Sequence, residues 1–147
     1  MKKNILVLVI SSVALSFLIV KVSTTVNSLN VVTFLVFGAI LPALVSAVMG
    51  SSVINLLKIQ KDKMKIIGSG VFALVYSVCY LIFIELINLN FEAIARNSQN
   101  LSNNSSIQIN AVSSQSVLTT GLINFFLVFS LIVIFSKIKE KAGERYV

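Results

Sequence analysis

Histidine and tryptophan are missing from this 147-residue chain, and cysteine (Cys79) and proline (Pro42) occur once each. Without histidine, zinc sites of the Cys/His type and Ser–His or Cys–His nucleophile pairs have no members to draw on. A lone cysteine forbids an intramolecular disulfide, so no loop is stapled within the chain. Acidic residues are scarce too: five against twelve lysines and arginines, with Asp62 the only aspartate. Intramembrane hydrolysis and acyl transfer call for paired acids or a nucleophile set beside a base. The sequence offers neither, so the chain is expected to be no enzyme, with no cofactor and no bound metal.

What the chain has in excess is hydrocarbon. Its apolar fraction is 56% and its mean hydropathy +0.96, whereas soluble domains hold roughly 45–50% apolar residues. The apolar residues fall in four runs, about 4–20, 31–57, 66–89 and 117–136. Each is long enough, or nearly so, for a membrane-spanning helix; at 1.5 Å per residue even the shortest reaches about 25 Å. The expected fold is all-α: a polytopic membrane protein of one domain, four transmembrane helices packed as a bundle, with a long extracytoplasmic loop over 90–116.

The cations set the expected topology. Lys2 and Lys3 precede the first run; Lys58, Lys61, Lys63 and Lys65 separate the second from the third; Lys137, Lys139, Lys141 and Arg145 follow the fourth. The other two connections carry only Lys21 and Arg96. Cytoplasmic flanks hold the excess of Lys and Arg, so four crossings put both termini in the cytoplasm. A pI of about 9.8 invites a nucleic-acid reading. Clustering at the ends of apolar runs, rather than along one face, speaks for anionic lipid headgroups instead. The start, MKK before an apolar run, resembles a signal peptide. The long run, the immediate Lys21 and the lack of an Ala-x-Ala site predict an uncleaved anchor.

Within the runs, some residues stand out. Pro42 predicts a kink, because its ring presses on the carbonyl of Gly38; a hinge is the functional alternative to a static bend. Ala39, Ala43, Ala47 and Ser51 recur every four residues, a small-residue stripe for close helix packing, either within the bundle or onto a second subunit. Tyr76 and Tyr80 share a helical face that is expected to point inward, since their hydroxyls need partners. Glu85 is the one acid inside a predicted span. Such carboxylates are candidates for proton relays or cation sites, although its place near Asn88 and Asn90 also fits an interfacial residue in reach of water. Asn124 is expected to hydrogen-bond between helices, with ligand binding as the alternative.

The segment 90–116 is rich in Asn, Ser and Gln. FEAIAR suits a short interfacial helix, and SSIQINAVS alternates apolar and polar residues, a weak strand signal that leaves a hairpin or disorder open. No internal repeat is visible, which gives no support to an inverted-repeat transporter.

The function expected from this architecture is protein–protein interaction within the bilayer of the bacterial cytoplasmic membrane, with a membrane protein or a second copy as partner. One concrete form is an immunity protein against a membrane-acting toxin, an analogy of architecture only. The alternatives are a small oligomeric transporter or channel using Glu85, and an accessory subunit of a larger membrane complex.

Overall fold

The computed structural model describes residues 2–57, 59, 61–89, 91–99 and 114–144. Within these residues every regular element is helical. Four of the helices are long and apolar enough to cross a membrane: Lys2–Ser28, Val31–Leu56, Asp62–Leu86 and Thr119–Ile138. The strand signal at 105–113 lies outside the described residues.

The first helix, α1, runs Lys2–Thr25 and continues as a 3-10 turn, Val26–Ser28. It extends past the first apolar run, which ends near residue 20, and there Val22 is buried against Leu29 and Ile94. Packing there overrides a local sequence of Ser and Thr that competes with helix. That competition does end α1: the Ser23, Thr24 and Thr25 hydroxyls donate to the carbonyls of Ile19 (2.8 Å), Val20 (3.0 Å) and Lys21 (2.7 Å). Side chains that fold back onto the helix in this way weaken its last turn.

The second span, α2, covers Val31–Leu56. Asn30 starts it with a capping box. Its Oδ1 accepts from the Thr33 amide at 2.8 Å, and the Thr33 Oγ1 accepts from the Asn30 amide at 3.0 Å. Residues Phe34–Ile40 are wound as a π-helix, and α-helix resumes at Leu41–Leu56. The Leu41 amide donates to the Val36 carbonyl, one residue further back than in an α-helix. The wider turn falls just before Pro42, where α-helical winding would set the proline ring against the Gly38 carbonyl. Pro42 thereby occupies the first turn of the resumed α-helix, where a missing amide proton costs nothing.

Helix α3 is Asp62–Leu86. Asp62 supplies an acid in its first turn and lies 3.6 Å from Lys65. Its far end closes at Asn88, whose φ of 47° is left-handed, a conformation asparagine tolerates better than most residues. A short helix, α4, covers Phe91–Gln99, and α5 covers Ser114–Glu144.

The four long helices do not pack symmetrically. α2 is central and touches α1, α3 and α5; α3 and α5 also pack on each other; α1 lies along α2, with little packing against α3 or α5. The core joins α2, α3 and α5 through Ala43, Ala47, Ile54, Ala73, Val128 and Ile132, ringed by Phe72, Phe125 and Phe129. Lipid gives no hydrophobic drive between helices, so close approach supplies the attraction. Small residues make it available here: Ala43, Ala47 and Ala73 are fully buried.

α4 caps one end of the molecule. Ile94 is buried between Val22 and Leu29. Ser98 Oγ accepts from the Val31 amide at 2.8 Å, and Asn97 Nδ2 donates to the carbonyls of Asn27 (3.1 Å) and Leu29 (3.0 Å). The turn between α1 and α2 leaves these backbone groups without partners inside its own helices. α4 satisfies them.

Candidate functional site

The one-sided attachment of α1 leaves a cleft between α1 and α3, floored by α2. It holds a cavity of about 190 Å³. Leu15, Leu18, Ile19 and Val22 form the α1 wall; Phe37, Gly38 and Pro42 form the floor; Tyr76, Cys79, Tyr80 and Phe83 form the α3 wall. The floor is the end of the π-helical segment and the proline after it. Short π segments inside α-helices recur at functional sites, and here the wider turn sits directly beneath the cavity.

Two of the lining residues, Ile19 and Cys79, are exposed, one on each wall. They mark the mouth, which faces sideways. At the capped end, Val22, Phe37 and Phe83 belong both to the cavity wall and to the cluster beneath Ile94. α4 therefore shuts that end. Lys21, next to Val22 in sequence, extends over the Phe37 ring with its Nζ 5.2 Å from the ring centroid. This cation thus rests on a residue that lines the cavity.

The wall itself is almost entirely hydrocarbon. Tyr76 and Tyr80 contribute their rings, stacked with centroids 6.1 Å apart, and their hydroxyls are buried. The Ser46 hydroxyl and the Asn124 amide approach the Tyr76 hydroxyl from α2 and α5. Ser46 Oγ, Tyr76 OH, Tyr80 OH and Asn124 Nδ2 nevertheless complete no hydrogen bond among the described residues. Buried polar atoms without partners cost about 1–3 kcal/mol each. Three helices thus meet at a cluster of buried polar atoms that is not satisfied among the described residues.

The residues singled out in the sequence disperse. Tyr76, Tyr80 and Pro42 line the cavity, and Asn124 stands behind it in the polar cluster. Ala43, Ala47 and Ser51 are fully buried within the helix assembly, with Ala39 half-buried at the end of the stripe. Glu85 is exposed and lies outside the cavity wall. Among the described residues no three His, Cys, Asp or Glu side chains converge. Phe37 does not stand out in the sequence. Ser46 reads there, with Gly50, as widening the small-residue stripe, and Lys21 as the end of a span. No protein-family model, curated protein or solved structure matches the chain.

Proposed function

We propose that this is a multi-pass protein of the bacterial cytoplasmic membrane, with both termini in the cytoplasm, that works by binding another membrane protein inside the bilayer. The attachment of α1 to α2 alone among the long helices carries this reading. A helix held along one side presents most of its circumference outward, and here that surface includes Ile5, Leu6, Val9, Ile10, Val13 and Phe17, all exposed. Further packing against a partner helix needs no rearrangement of the α2–α3–α5 core. The contact surface is α1, not the small-residue stripe, whose central members are consumed inside the chain. Protection against a membrane-acting toxin is one concrete form of the activity, and support of a larger membrane complex is another. The transporter reading draws no help from Glu85, which stands exposed.

Photocrosslinking tests the proposal. A crosslinking residue at Ile10 or Val13 is expected to trap one discrete protein adduct in intact membranes, and the same residue at Val75 on α3 is not. Diffuse lipid labelling at all three positions would remove α1 as a partner surface. Co-expression with the products of adjacent genes then separates the two forms, since only an immunity protein rescues cells from a toxin.

A further inference from the structure

We infer that the cleft between α1 and α3 is a lipid site: it takes one acyl chain of an anionic phospholipid, and Lys21 receives the headgroup phosphate. Apolar cavities of about 150 Å³ stay dry and admit hydrocarbon guests. This one holds about 190 Å³ behind an almost wholly apolar wall. The Tyr76 and Tyr80 hydroxyls are buried and add almost no polar surface to it, so it offers a polar guest little to bind.

The mouth then selects the source of hydrocarbon. It opens sideways between Ile19 and Cys79, both exposed on helices apolar enough to span a bilayer. The aqueous end is shut by Ile94 and the residues beneath it. A guest arrives from the bilayer and not from water. Along α1 the cavity runs from Leu15 to Val22, about 10 Å of helix rise, which suits a stretch of a single chain and is too narrow for a helix.

Charge supplies the last discrimination. Lys21 lies at the closed end, where α1 leaves the apolar region, and its ammonium rests over Phe37 at the cavity rim. Among the described residues it has no acidic partner. A lysine at headgroup depth attracts anionic lipid, and here the same residue stands at the end of a slot for that lipid's chain. Phe37 orients both halves of the site, with one part of its ring lining the cavity and its face under the cation.

The test is native mass spectrometry of the full chain, stripped of lipid in detergent and exposed to equimolar phosphatidylglycerol and phosphatidylcholine with identical chains. The wild type is expected to retain one phosphatidylglycerol in preference by about fivefold, the ratio that one lysine near an anionic headgroup supplies. Lys21→Gln brings the ratio to near one, and the double variant Lys2→Gln/Lys3→Gln, altered at the opposite end of α1, keeps it. Cys79→Trp fills the mouth and loses both lipids; Ile19→Trp does the same from the other wall, should the first variant not fold. An equal ratio in the wild type, an unchanged ratio in Lys21→Gln, an equal fall in the Lys2/Lys3 variant, or lipid retained by a folded tryptophan variant would each overturn the site.

Discussion

Gly50 on α2 faces Ile132 on α5 so closely that a Cβ on the glycine would lie 2.7 Å from the Ile132 Cδ1 and 2.9 Å from the Phe72 Cδ1. The glycine sits where all three core helices meet, and no β-carbon fits there without moving a neighbour. Gly50→Val is therefore expected to destabilise the protein by about 1–3 kcal/mol, the usual cost of overpacking a filled core. Denaturation in mixed micelles measures it. Ile132→Val, which removes the colliding methyl, is expected to recover part of the loss; equal loss with and without it would mean that the glycine matters for some reason other than this contact.

The Asn97 amide holds α4 down by two hydrogen bonds to the α1–α2 turn. Asn97→Ala removes both and leaves two carbonyls to water, for a local cost of roughly 1–2 kcal/mol. Faster hydrogen exchange is expected over residues 91–99, with α3 and α5 unchanged. Ile94→Asp is expected to release α4 altogether, because it places a charge between Val22 and Leu29. Uniform acceleration across all helices in Asn97→Ala would show that α4 is part of the global folding unit and not a separate cap.

Tyr80 is 6% exposed, and its hydroxyl has no protein partner among the described residues. Removing a buried, unpaired hydroxyl while keeping the ring is expected to stabilise the fold by about 1 kcal/mol. Tyr80→Phe should accordingly raise the unfolding midpoint. A lowered midpoint would mean that the hydroxyl is engaged by a group outside the chain.

For Glu85 the expected result is no effect. An exposed side chain with no role in packing shifts stability by less than about 0.5 kcal/mol when made neutral. Glu85→Gln should match the wild type in unfolding and in lipid retention. A fall in proton or cation flux in proteoliposomes carrying Glu85→Gln would restore the transporter reading.

Topology is tested by reporter fusions. A fusion after Ile59 is expected to report cytoplasm, and one after Ser98 the opposite side, in line with the distribution of Lys and Arg. The same compartment for both would undo the four-crossing arrangement.

Much of this was legible in the chain itself. Four apolar runs name four helices long and apolar enough to cross a membrane, since hydrocarbon leaves a backbone few other ways to satisfy its own hydrogen bonds over that length. Pro42 announced a disturbance in the second of them. The amphipathic FEAIAR segment announced α4. The stripe Ala43, Ala47 and Ser51 announced a close-packed face, because small residues at a spacing of four have few other uses in a membrane helix.

What only the tertiary structure decided is which faces meet. In lipid the four runs are apolar all round, so periodicity carries almost no signal about which side turns inward. The placement of α1 on the flank, the cleft it leaves beside α3 and the convergence of Ser46, Tyr76 and Asn124 follow from shape complementarity among residues far apart in sequence. The π-helical winding over Phe34–Ile40 belongs to both levels. Pro42 makes α-helical winding costly there, and the wider turn carries Phe34 and Phe37, which pack with the cluster around Ile94. The sequence set the number of helices long and apolar enough to cross a membrane, because that depends on summed hydrophobicity; three-dimensional packing set the site, because that depends on which atoms touch.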